Sequence, residues 1–224
     1  MARAFRAWHA LALAFTLAAL SLAGCSGSEP MLGTVLDPTQ PAPSFELRDQ
    51  LNRQVSLADF EADVVLVSFL YTYCHDVCPA ATANLKKSHE LLGDDASRVD
   101  FVAITVDPER DTVERAHEYS KSWGLLDKWS FLVGAEKTLR PIWKGYYLDP
   151  AQIDWETDEP PADPSAAGPS QSGLDALRRQ IATKYEVVHS APVYLLDRER
   201  RMRVLFTPPL DPGAIVHDIR LLLE

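Results

Sequence analysis

The run Val64-Val65-Leu66-Val67-Ser68-Phe69-Leu70 leads through Tyr71-Thr72-Tyr73 into Cys74-His75-Asp76-Val77-Cys78-Pro79. A stretch this dense in β-branched and large apolar side chains reads as a strand covered on both faces. Ala80 to Leu92 reads as the helix that follows, with Leu85, Leu91 and Leu92 as its buried side and Gly93 as its stop. The chain therefore carries two thiols from a buried strand to the start of a helix. Residues one helical turn apart have Cα atoms roughly 6 Å apart. That reach suits a disulfide or one soft metal ion held between two thiolates. A helix N-terminus also lowers the pKa of a thiol placed on it, which favours the thiolate that either chemistry needs.

The first residues point to export. Arg3 and Arg6 precede an apolar run from Trp8 to Leu22, of signal-peptide rather than membrane-spanning length. Leu22-Ala23-Gly24-Cys25 looks like a bacterial lipobox, so residues 1–24 are expected to be removed and Cys25 to carry lipid. Residues 25–42, with Gly, Ser and several prolines, read as a flexible tether. Residues 43–224 are the expected folded domain, and a mature chain of about 200 residues is long enough for one sizeable core. The net charge is −10 and becomes more negative once Arg3 and Arg6 are lost. An acidic chain binds nucleic acid poorly, so no nucleic-acid partner is expected. Of the three cysteines, lipidated Cys25 leaves Cys74 and Cys78 as one close pair. A disulfide that closes so short a loop stabilises little, which argues for chemistry rather than stapling.

The remaining chain alternates strand and helix signals. Phe45-Glu46-Leu47 and Gln54-Val55-Ser56-Leu57 flank Asp49-Gln50-Leu51-Asn52 as a small hairpin. Phe101 to Val106 is a second apolar strand. Asp111 is the expected N-cap of a helix that runs to about Trp123, with Glu114 at the reciprocal position and Gly124 beyond the end. Trp129 to Val133 reads as a strand, and Thr138 to Tyr147 as a helix with Pro141 in its first turn. Residues 149–173, rich in Pro, Ser, Asp and Ala, read as a mobile loop, and Leu174 to Tyr185 as a short helix. Val187 to Leu196 and Met202 to Thr207 are strands around the turn Asp197-Arg198-Glu199-Arg200. Pro212 opens a last helix that buries Ile215, Ile219 and Leu222. The expected architecture is α/β, with a central mixed sheet and helices on both faces.

Three segments together resemble the SCO/SenC family: Phe69 to Pro79, Val106 to Thr112, and His189-Ser190 ahead of a strand. The resemblance spans roughly Pro43 to Leu223. It implies a thioredoxin-like fold and a copper chaperone anchored outside the cytoplasmic membrane. The partners it implies are cytochrome c oxidase subunit II, whose binuclear copper site is assembled, and other periplasmic copper carriers. It implies periplasmic localisation through the lipid anchor, at the inner membrane by family habit, with the outer membrane as the alternative. Position by position, Cys74 and Cys78 match the copper thiolates and His189 the distant histidine ligand. Thiolates select Cu(I), and an added imidazole lets the site hold Cu(II) as well. This chain departs from the family pattern in two places: His75 stands where proline usually follows the first cysteine, and Val188 where an aspartate usually precedes the histidine. Thioredoxins also place a cis-proline facing their cysteines, and Pro192 is the candidate here, although the resemblance does not demand one.

The same cysteine pair supports a second function, thiol–disulfide exchange that keeps the cysteines of the copper-site subunit reduced, with Cys74 and Cys78 as the redox pair. That chemistry has no use for His189. Peroxide reduction fits poorly, because the peroxiredoxin pattern wants Thr three residues before its cysteine and Tyr71 stands there. His89, His117 and His217 fall on expected helices and read as solvated. Tyr71, Tyr73, Trp143 and Tyr146 read as core or rim.

Overall fold

Every residue of Val64–Leu70 is buried, which a strand achieves only in the middle of a sheet covered on both faces. The computed structural model describes residues 29–75, 77–154, 185–188 and 190–224. Its strands are β1 (Thr34–Pro41), β2 (Glu46–Arg48), β3 (Gln54–Ser56), β4 (Val64–Leu70), β5 (Val99–Thr105), β6 (Ser130–Leu132), β7 (Ala151–Asp154), β8 (Tyr185–Val188), β9 (Val193–Leu196) and β10 (Arg201–Phe206). Its α-helices are α1 (Val77–Leu92), α2 (Val113–Trp123), α3 (Glu136–Gly145) and α4 (Pro212–Leu223). A six-stranded sheet runs β1-β10-β9-β4-β5-β6. The β4–β5 and β5–β6 pairs are parallel, and β9, β10 and β1 run antiparallel to their neighbours.

Side-chain parity assigns the helices to faces. Leu66 pairs with Phe101, and Phe69 with Ile104, so Phe69 and Phe101 point to opposite sides. His89 of α1 packs on Phe101 at 5.3 Å. The Thr82 and Tyr119 hydroxyls, 2.7 Å apart, tie α1 to α2, and Arg220 of α4 donates to the Leu91 carbonyl. On the other side, Phe69 packs against Tyr146 at the end of α3 with tilted rings and edge-on against Tyr194 of β9. Helices thus cover both faces of a mixed sheet, as expected. Each fully buried large apolar side chain in this arrangement contributes about 1.5–3 kcal/mol.

Several expectations need correction. Thr34–Pro41, placed in the flexible tether, is an edge strand antiparallel to β10. Its burial pattern is mostly exposed and it contains Pro38 and Pro41, so neither alternation nor propensity betrays it. Prolines are tolerated at an edge because one side of the ladder needs no N–H. What anchors it lies far away in sequence: buried Asp218 accepts from the Leu32 N–H at 2.8 Å and the Gly33 N–H at 2.8 Å. Gly33 has no room for a side chain, since a Cβ there would meet Val204 at 2.5 Å.

The expected strand from Val187 to Leu196 is two strands. β8 pairs with β7 in a separate two-stranded sheet, whereas β9 lies beside β4. The loop expected over 149–173 begins with β7; residues 155–173, and the expected helix up to residue 184, lie outside the described residues. Among the described residues the cis bonds are Asp37–Pro38 and Pro208–Pro209, so Ala191–Pro192 is trans. Leu91 is exposed while Leu85 and Leu92 are buried. Pro141 sits inside α3 rather than in its first turn.

Candidate metal centre

The cysteines sit where β4 gives way to α1. The helix begins at Val77, three residues earlier than the apolar pattern indicates, because Pro79 falls in the first turn, where a missing N–H leaves no gap. Cys78 is the second helical residue, and its N–H donates to the Cys74 sulfur at 3.3 Å. The first sulfur thus satisfies one of the donors that every helix N-terminus leaves open. Both cysteines are thiols, with no disulfide between them; Cys74 is 7% exposed and Cys78 fully buried.

Burial, not the helix N-terminus, dominates the chemistry of Cys78. Removal from water pushes its thiol well above the usual range, and the adjacent Cys74 sulfur pushes the same way. The expectation of a lowered pKa is therefore wrong for this residue in the metal-free chain. A soft cation arriving between the sulfurs has to displace protons, so binding is linked to pH.

Tyr71, expected as core or rim, is buried core and also a partner of the thiols. Its hydroxyl hydrogen-bonds the Cys74 side chain and the Val187 backbone, and burial, then the neighbouring sulfur, pushes its pKa upward. That contact joins β8 to the cysteine turn two residues before His189. His189 itself lies outside the described residues, as does Cys25. His75 is exposed on the turn between the cysteines.

The loop after β5 encloses the turn from the other side. The Arg110 and Arg115 guanidinium groups lie 5.3 and 4.6 Å from the centre of the Tyr73 ring, and Arg110 also pairs with buried Asp107. Asp111 is not the N-cap of α2. That role belongs to Thr112, whose hydroxyl accepts from the Arg115 N–H, while the Asp111 carboxylate is buried against Thr72 and Thr105. Burial raises its pKa to about 6 against the lowering effect of those hydrogen bonds. The Asp107–Thr112 segment reads from sequence as turn and cap residues, and nothing in it marks that both aspartates turn inward. The three helical histidines are not simply solvated: His89 packs against Phe101, His117 approaches the Gln50 carbonyl at 3.3 Å, and His217 meets Asp218 at 2.9 Å.

Among the described residues there is no group of three or more His, Cys, Asp and Glu side chains poised for a metal, so the thiol pair is the donor set in view. Two buried sulfurs four residues apart, across the turn from strand to helix, fit a soft monovalent ion such as Cu(I), which accepts low coordination and thiolate ligands.

A dithiol on the turn between a central strand and its helix, in a mixed sheet with helices on both faces, makes this a thioredoxin-like protein. The SCO1/SenC family model matches residues 34–165, more than half of the chain. The chain belongs to the SCO1/SenC family. It is 28% identical over 117 residues to a SCO1 protein homolog of Bacillus subtilis, covering 51% of this chain and 58% of that protein. It spans 56–64% of the length of the first curated relatives it matches. Among solved structures it is similar to apo Sco1 of Thermus thermophilus, with TM-score 0.66, 26% identity, and 88% and 99% of the two chains covered. It shares its fold with copper-bound ScoI of Arabidopsis thaliana, with TM-score 0.63, 21% identity, and 82% and 98% covered.

Proposed function

We propose that this chain is a copper metallochaperone that binds the metal through Cys74, Cys78 and His189 and assists assembly of the binuclear copper site of a cytochrome c oxidase. The observation that carries this reading is the reduced, buried Cys74–Cys78 pair at the end of the central strand. Membership of the SCO1/SenC family and the copper held by the Arabidopsis relative support it. The copper is cargo: it enters by displacing the thiol protons and leaves to an acceptor with a matching donor set. Reduced full-length protein titrated with Cu(I) in the presence of a competing chelator should take up one ion per chain. No uptake, or uptake that survives alkylation of both cysteines, overturns the reading.

Thiol–disulfide exchange on subunit II is the alternative use of the same pair. In that use Cys74, the more exposed of the two sulfurs, would attack the partner's disulfide and buried Cys78 would resolve the mixed disulfide.

The chain acts in the periplasm, tethered by lipid on Cys25; the motif Leu22-Ala23-Gly24-Cys25 supports this. No helix among the described residues is long and apolar enough to cross a membrane. Cys25→Ala should move the protein from the membrane fraction to the soluble periplasmic fraction. An unmodified Cys25 in the mature chain, found by mass spectrometry, refutes the anchor.

A further inference from the structure

Two loops leave the adjacent parallel strands β4 and β5 at the same end of the sheet, and one carboxylate joins them. The Thr72 N–H donates to Asp111 Oδ1 at 3.1 Å, and the Thr72 hydroxyl to the same oxygen at 2.6 Å. The Thr105 hydroxyl donates to Asp111 Oδ2 at 2.6 Å and accepts from the Asp107 N–H at 2.9 Å. Asp111 is 3% exposed. Thr72 stands two residues before Cys74, in the turn whose sulfur receives the Cys78 N–H.

Three donors converging on one side chain explain the residue type. An ionised carboxylate accepts on both oxygens and carries no hydrogen to oppose a donor, whereas an amide presents an NH2 group to one of the hydroxyls. Closing a surface turn does not require a buried charge, and burying one is costly. The expense makes sense where a turn must be held tightly, and a pair of ligating sulfurs has to be kept within about 0.5 Å of its productive geometry.

We propose that Asp111 is a positioning residue for the thiol pair, clamping the turn that carries Cys74 to the end of β5. Naming copper as the cargo rests on the function proposed above; the clamp is a property of the metal-free chain.

The test uses reduced full-length protein carrying Asp111→Asn, Thr105→Val or Thr105→Ser. Two quantities are read: amide hydrogen exchange at Thr72 relative to Val67 of β4 without metal, and Cu(I) affinity by chelator competition. Asp111→Asn should speed Thr72 exchange at least about tenfold relative to Val67 and weaken Cu(I) binding about 10–100-fold, the usual range for residues that orient a ligand. Thr105→Val should act in the same direction, and keeps the question decidable if Asp111→Asn does not fold. Thr105→Ser restores the hydroxyl and should behave like the wild type. Wild-type affinity in Asp111→Asn or, if that variant does not fold, in Thr105→Val overturns the proposal. So does weakened binding with no selective change at Thr72. If the wild-type chain takes up no copper, the metal reading fails, and Thr72 exchange still decides whether the clamp exists.

Discussion

Replacing Cys74 or Cys78 should weaken Cu(I) binding by well over a hundredfold while the metal-free chain stays folded. Removing a residue that merely orients a metal ligand costs about 10–100-fold, and each of these sulfurs is a ligand outright under the proposed function. Cys74→Ser is the cleaner variant for the first position, since the serine oxygen can still accept the Cys78 N–H that the sulfur accepts at 3.3 Å. Cys78 is fully buried, and a serine there would place a hydroxyl in apolar surroundings at a cost of about 1–3 kcal/mol. Cys78→Ala avoids that penalty and leaves only a small cavity. Chelator competition reads the affinity, and far-UV circular dichroism with thermal melting reads the fold. Wild-type affinity in either variant would remove the thiol pair from the site. A chain that loses its secondary structure when copper is chelated would contradict the folded metal-free state, which the extensive buried core supports without metal.

The central strand and the two cysteines were legible because their signals are local. Val64–Leu70 is apolar throughout, and the thiols follow at fixed spacing. The edge strand β1 was not legible, because edge strands with prolines look like linkers and its anchor, Asp218, belongs to the last helix. The break between β8 and β9 was hidden for a related reason: the residues on either side have strand propensity, and only pairing partners show that they join different sheets. Asp111 illustrates a limit of capping rules. Aspartate before a helix is favoured at the N-cap, but Thr112 next to it serves equally well, which frees the carboxylate for a tertiary role. From sequence Tyr71 reads as core or rim, and its burial agrees with the first. Its contact with the Cys74 side chain belongs to the turn, where the Cys74 N–H also donates to the Tyr71 carbonyl at 3.4 Å.

His189→Ala should separate metal work from redox work. The two thiols can cycle between dithiol and disulfide without an imidazole, whereas a site of two thiolates and one imidazole loses its third ligand. Cu(I) tolerates two-coordinate thiolate ligation better than Cu(II) does, so the substitution should weaken Cu(II) binding most, by about 100-fold or more, with a smaller loss for Cu(I). The disulfide potential should shift by much less than the equivalent of that change, where a tenfold change in a two-electron equilibrium corresponds to about 30 mV. Val188 stands where the family usually has an aspartate, a residue type that can orient a ligating imidazole, so under the proposed function the wild-type Cu(II) affinity should itself be modest for the family. Val188→Asp is the matching gain-of-function variant and should raise Cu(II) affinity while leaving the dithiol potential nearly unchanged. In cells, His189→Ala should abolish assembly of the oxidase copper site if metal transfer is the function. Normal assembly in a variant that no longer binds Cu(II) would instead favour thiol reduction as the useful activity, and exposed His75, on the turn between the cysteines, would be the next side chain to test as a ligand.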